Sequence, residues 1–147
     1  MLNYEKLIVG EMRTNCYLVW DEDKNAIVID PGDEAEFISE EIEKRQLKLT
    51  GILLTHKHSD HTRAVLPLKL IYKTKIITTA FDFQLIETPG HTTDSVCFYS
   101  PLLGVVFIGD TKWYDAKKRL KLPQNTVFLP GHDEDMMIAT EANGYGF

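Results

Sequence analysis

The sequence predicts an α+β chain in which two β-sheets pack face to face with helices outside. Three observations lead there. Strand-like runs come first and then alternate with helical ones; about nine or ten such runs crowd into 147 residues; and two stacked sheets with outer helices would bury them all. No repeat, low-complexity stretch or linker offers a place for a second domain to begin, so residues 1–147 read as a single domain.

The elements follow in order. Residues 7–9, 16–20 and 26–29 are apolar runs, the last two separated by the polar turn Asp21-Glu22-Asp23-Lys24-Asn25, which makes a meander. Pro31-Gly32 ends the third strand. Asp33 with Glu36 three residues on has the spacing of a capping box, and Phe37, Ile38 and Ile42 fall on one face of a helix running to about Arg45. A buried strand at 51–54 stops abruptly at Thr55-His56. Residues 64–72 read as a helix interrupted or restarted at Pro67. Strands are expected at 75–78, 83–86, 96–99 and 105–108, then a short basic helix at 116–120, a strand at 126–129, the turn Pro130-Gly131-His132 and a terminal helix, with 144–147 frayed.

Composition bounds the function. A chain this long can bury about two-thirds of the surface that its unfolded form exposes. No run approaches the roughly 20 apolar residues of a membrane span, and the start, Met1-Leu2-Asn3-Tyr4-Glu5-Lys6, lacks the apolar stretch of a signal peptide, so a cytoplasmic address and no membrane partner are expected. The formal charge of −6 argues against a nucleic-acid binder, which neutralises phosphates with excess Lys and Arg. Two bound divalent cations would return about +4 locally. Cys16 and Cys97 both sit inside strand-like runs and read as reduced, buried thiols.

The chemistry concentrates in His56-Lys57-His58-Ser59-Asp60-His61. In an extended chain alternate side chains project the same way, so His56 and His58 can reach one ion, while Asp60 starts a turn that lets His61 face a neighbouring point. His91 and His132 each follow Pro-Gly directly after an apolar strand, and Asp110 follows Phe107-Ile108-Gly109 in the same manner. All five histidines of the chain therefore lie at strand ends and tight turns, where rigid sheets hold what loops present. Imidazole and carboxylate suit zinc, and also iron or manganese.

Together these segments resemble the metallo-β-lactamase superfamily, and within it the small glyoxalase-II-like hydrolases. The resemblance rests on Ile29-Asp30-Pro31-Gly32, Thr55 to His61, Thr88-Pro89-Gly90-His91-Thr92, Ile108-Gly109-Asp110-Thr111 and Leu129-Pro130-Gly131-His132. It implies an αββα sandwich of two mixed β-sheets with the site at one edge. It further implies two divalent metals, with His56, His58 and His91 on one, Asp60, His61 and His132 on the other, and Asp110 bridging. Asp30 resembles the family's aspartate that orients the histidine loop and leaves the metals to other residues. His61 and Asp110 stand where class B1 β-lactamases have arginine and cysteine, and His58 where the flavodiiron type has glutamate. Ser95 to Tyr99 and Thr140-Glu141-Ala142-Asn143 extend the likeness to glyoxalase II.

There are departures. Thr62-Arg63-Ala64 replaces the Gly-Gly common in relatives, and the intervals His61 to His91 and Asp110 to His132 are short for the family. The C-terminal region that binds glutathione in full-length glyoxalase II has no counterpart, so glutathione thioesters are not inferred as substrates. The expected reaction is metal-assisted hydrolysis of a small thioester, with Asp60 and Asp110 as the catalytic carboxylates, at a shallow site of weak selectivity. Lactonase or β-lactamase action, a phosphodiesterase or nuclease, a persulfide dioxygenase holding one iron through His56, His91 and Asp110, and a non-catalytic metal-binding domain are the rivals. Arg63, Lys112, Tyr114 and Lys117 are candidate substrate contacts, and a dimer could supply missing cover.

Overall fold

The computed structural model describes residues 1–90, 92–132 and 136–137. Strands β1 (Asn3–Val9), β2 (Thr14–Trp20), β3 (Asn25–Ile29) and β4 (Lys48–Leu53) form one sheet in that order, antiparallel except for the parallel pair β3–β4. Strands β5 (Gln84–Glu87), β6 (Val96–Ser100), β7 (Val105–Gly109), β8 (Val127–Pro130) and β9 (Met136–Met137) form the other, with β7–β8 parallel. Both sheets are therefore mixed, as expected. Helices α1 (Ala35–Lys44) and α2 (Val65–Tyr72) cover the first sheet, and α3 (Trp113–Leu120) the second.

Three apolar layers hold this αββα stack. Leu18, Val28 and Ile52 pack outward against Ile38, Ile42 and Leu68 of the helices. On the other faces of the same strands, Tyr17, Val19, Ile27, Ile29 and Leu53 meet Phe98, Phe107 and Leu129 between the sheets. Cys97, Val106, Ile108 and Phe128 turn outward onto Ala116 of α3. Period-two alternation sorts each strand between two cores, which is why central strands read as unbroken apolar runs. Both cysteines are free and buried. Among the described residues no helix is long and apolar enough to cross a membrane.

Four expectations need correction. Asp33 does not cap α1: the helix begins one residue later, with Glu34 at its cap in a left-handed conformation and without a side-chain cap. Asp33 Oδ1 accepts from the Glu34 amide, and Glu34 Oε2 accepts from the Gly10 amide in the β1–β2 turn, so both carboxylates are committed elsewhere. Pro67 neither kinks nor restarts α2, because it occupies the first turn, where its missing N–H forfeits no helical bond. The run at 75–78 is not a full strand: only Ile76 bridges to Ile52 of β4, flanked by bonds from Ile77 N and to Lys75 O. Met136–Met137 is a strand against β8 where a terminal helix was expected. The remaining C-terminal residues, 138–147, with the Thr140 to Asn143 motif and the 144–147 end, lie outside the described residues.

Candidate metal centre

Four turns at the ends of strands meet over the seam between the sheets. The first follows β3. Asp30 adopts φ 53°, a left-handed geometry that aspartate tolerates better than most residues. Its neighbours Pro31 and Gly32 accept from the Ala64 and Arg63 amides, which ties this turn to the start of α2. A Cβ at Gly32 would lie 2.0 Å from Asp60 O, so only glycine lets the two turns touch.

The second turn follows β4 and carries the histidine cluster. Asp30 Oδ1 accepts from Thr55 N (2.8 Å), and its Oδ2 accepts from Thr55 Oγ1 (2.6 Å) and from His61 Nδ1 (2.9 Å). Thr55 has spent its hydroxyl hydrogen on Asp30, so its oxygen accepts from His56 Nδ1 at 3.1 Å. One buried carboxylate thus sets two imidazoles, one directly and one through Thr55. A short 3-10 turn, Ser59–His61, brings Asp60 and His61 round, with Thr14 Oγ1 holding Asp60 O at 2.8 Å.

The third and fourth turns follow β7 and β8. Asp110 sits just beyond Gly109, whose carbonyl oxygen accepts from the Gly131 amide at 2.8 Å. Pro130 O accepts from Asn15 Nδ2 and Tyr17 Oη, and Gly131 O from Asn15 N, so β2 fixes the turn that precedes His132. His132 Nδ1 faces Met12 O at 3.0 Å. A carbonyl only accepts, so that nitrogen carries the proton.

The consequence is common to the set. With Nδ1 donating, a neutral imidazole keeps a lone pair on Nε2. His56 Nε2 then lies 3.4 Å from Asp110 Oδ2, His61 Nε2 3.2 Å from Asp110 Oδ1 and 3.6 Å from Asp60 Oδ2, and His132 Nε2 3.1 Å from Asp60 Oδ2. His61 Nε2 is buried and makes no hydrogen bond among the described residues. Acceptors packed this closely need positive charge between them, as extra protons or as metal ions. Protonation shows the strength of the demand: burial pushes the His61 imidazole down, yet the Asp110 and Asp30 carboxylates beside it raise it to about 10. Burial likewise pushes Asp110 up, but His56 and His61 hold it well below the usual carboxylate range.

Donor atoms of His56, His58 and Asp110 lie within 4.8 Å of one another, and so do those of Asp60, His61, Asp110 and His132. The two groups share Asp110. A third, Asp30 with His56 and His61, is accounted for by the orienting hydrogen bonds. Nitrogen and carboxylate donors in this density fit divalent metal. His91 lies outside the described residues; the Pro89 carbonyl ahead of it accepts from Arg119 Nη1 of α3 at 2.9 Å. His58 is exposed, whereas His56 and His61 are buried, so the cluster opens on the His58 side. Arg63, Lys112, Tyr114 and Lys117 are all exposed, with Arg63 3.9 Å from Asp33.

Thr55, Thr14, Asn15, Tyr17 and the Met12 carbonyl are parts of the site that the sequence reading assigned no role. Asn15 and Tyr17 do leave a signal, polar groups two apart on an inward strand face; a backbone carbonyl leaves none.

The family model described as the metallo-beta-lactamase superfamily matches residues 9–82 and 79–143. Hydroxyacylglutathione hydrolase GloC of Haemophilus influenzae is 27% identical over 190 positions, covering 94% of this chain and 90% of that protein. Those 190 positions exceed the 147 residues here, so that relative carries segments this chain lacks. A hydroxyacylglutathione hydrolase of Hydrogenovibrio crunogenus is 35% identical over 114 residues, 61% of this chain, which spans only 41% of its length. Among solved structures, the di-iron-bound form of TTHA1623 superposes with a TM-score of 0.85 at 25% identity, over 95% of this chain and 97% of that one. ETHE1 from Myxococcus xanthus gives 0.82 at 25%, over 96% and 82%. The stacked mixed sheets, the clustered histidines and aspartates at their edge and the match along most of the chain agree: this chain belongs to the metallo-beta-lactamase superfamily.

Proposed function

We propose that the chain is a metal-dependent hydrolase of small thioesters with a two-metal centre, held by His56, His58, His91 and Asp110 on one side and Asp60, His61, His132 and Asp110 on the other. The observation that carries this reading is the tautomer pattern: His56, His61 and His132 are each held at Nδ1 from behind, so that three Nε2 lone pairs converge on the carboxylates of Asp60 and Asp110. Divalent ions bound there would polarise an acyl carbonyl, lower the pKa of water and accept a thiolate leaving group. Zinc suits these donors, and the di-iron form of a similar structure keeps iron open.

The protein's own part is arrangement. Asp30 and Thr55 lock two imidazoles before substrate arrives, so little reorganisation remains for the reaction. Asp110 belongs to both donor groups and Asp60 faces His61 and His132, which supports a role for these two carboxylates beside the reacting atoms. The segments present in GloC and lacking here support a shallow site with few remote contacts, hence weak selectivity among acyl groups and a high KM.

A persulfide dioxygenase with one iron on His56, His91 and Asp110 would leave the Asp60, His61 and His132 group without a role. The formal charge of −6 speaks against a nuclease. The test is turnover by metal-loaded protein on a panel of thioester, lactone, phosphodiester and persulfide substrates. The reading expects thioesters to be cleaved fastest, by water; oxygen consumption with a persulfide, or metal binding without any turnover, would overturn it.

A further inference from the structure

Helix α2 is amphipathic in an unusual sense: it has apolar residues on both faces. Leu68 packs into the core, and Tyr72 reaches α1 through Ser39 and Glu43. On the opposite face Leu66 is 64% exposed, Leu70 70% and Ile71 55%, and Pro67 is exposed beside them. At 100° per residue these four span one continuous stripe. Three large aliphatic side chains side by side on one short helix are more than the scattered exposed leucine of an ordinary surface, and patches of this kind mark contact sites.

The stripe has two unlike borders. Along the Pro67 and Ile71 side runs a groove of about 620 Å³ between α1 and α2, lined on the α1 side by Glu36, Phe37 and Glu40, and also by Arg63, which lies 3.9 Å from Asp33. On the other side of the stripe, 300° round the helix from Leu66, stands Lys69, with Lys73 following at the left-handed C-cap of the helix. None of Glu36, Glu40, Lys69 and Lys73 has an ion-pair partner among the described residues. The face is therefore apolar in the middle, acidic along one edge and basic along the other.

We propose that this face binds a second copy of the chain, in a two-fold dimer whose axis runs along α2. A surface that pairs with itself must be complementary to its own image under that rotation. Rotation about an axis parallel to the helix lays stripe on stripe with the helices parallel, and exchanges left for right. The Lys69 and Lys73 edge of one copy then meets the Glu36 and Glu40 edge of the other, twice over. An axis perpendicular to the helix within the interface would instead set acid against acid. The charge pattern thus selects one partner, the chain itself, and one arrangement. This inference does not rest on the proposed reaction.

Sedimentation of the full chain at about 1 to 100 µM tests it, since that range brackets the affinity of a modest interface. A concentration-dependent dimer is expected. Leu66→Lys with Leu70→Lys, both at exposed positions and so compatible with folding, should leave monomer with an unchanged circular-dichroism spectrum. Glu40→Lys and Lys69→Glu should each weaken association about tenfold or more, and the two reversals combined should restore it to within about threefold of the parent. A monomer throughout the range would overturn the proposal and leave the face to a different protein. So would a dimer indifferent to the leucine changes, or reversals that fail to rescue one another.

Discussion

Thr55 Oγ1 stands 2.6 Å from Asp30 Oδ2, and through that contact a carboxylate with no place among the proposed metal ligands governs His56. The same oxygen of Asp30 accepts from His61 Nδ1, so a single buried acid sets the aim of histidines in both donor groups. Thr55→Val keeps the shape and removes the hydroxyl. Partners that orient a ligand are worth about 10–100-fold in metal affinity, and a buried acceptor left short of a donor costs about 1–3 kcal/mol of stability. Thr55→Val should show both losses in a chelator competition and a denaturant titration, and Thr55→Ser should recover most of each. A valine variant that binds metal as the parent does would remove Thr55 from this account.

Asp110 and Asp30 differ in kind. Asp110 belongs to both donor groups, whereas Asp30 acts from behind. Asp110→Ala should abolish hydrolysis and lower metal content outright, while Asp30→Ala should retain a measurable fraction, on the order of 1–10% of the activity. Equal losses in the two proteins would mean that the roles have been exchanged or shared.

Gly109 has φ +56°, and a Cβ there would come within 2.2 Å of Thr55 Oγ1. Gly104 has a similar φ of +67°, but a Cβ would meet nothing within 4 Å. Alanine at Gly104 should cost only the backbone term, about 1 kcal/mol, while alanine at Gly109 should cost about 2–4 kcal/mol and weaken metal binding as Thr55 is displaced. Unfolding curves of the two variants, compared at one pH, check this; equal costs would show that the Thr55 contact relaxes freely.

Burial, with a lesser contribution from the charge of Asp30, raises the Cys16 thiol far above its ordinary value, and burial also raises Cys97. The folded chain then keeps a proton that the unfolded chain releases. This stability is fully present below about pH 8.5 and falls as pH rises beyond it, by up to about 1.4 kcal/mol per unit from Cys16. Unfolding titrations at pH 8 and 10 should show a shallower decline for Cys16→Ala than for the parent. Neither thiol should react with a thiol reagent in the folded protein at pH 7; rapid labelling of Cys16 there would refute its burial.

Much of this was legible in the residues. The order of apolar runs suggests two sheets with outer helices, because most runs end at a turn whose Gly, Pro or Asp can be read directly, the run at 51–54 ending instead at Thr55-His56. The ligand candidates stood out because every histidine falls at such an end. What was hidden is what depends on partners distant in sequence. The Asp33 spacing suits a cap, but the Gly10 turn takes Glu34 and shifts the start of α1. The run at 75–78 has the composition of a strand yet finds a single bridge, to Ile52. Met12 offers His132 only a carbonyl, which no side-chain pattern announces.

Metal content per chain, measured on protein loaded with excess zinc and freed of unbound ion, bears most directly on the central claim. Seven candidate ligands exceed the four that one tetrahedral zinc uses, and the six of them among the described residues fall into two groups that share Asp110. The account predicts about two zinc ions per chain, falling to about one or fewer in Asp110→Ala. A parent protein that saturates at one ion or less, with its fold intact, would contradict it.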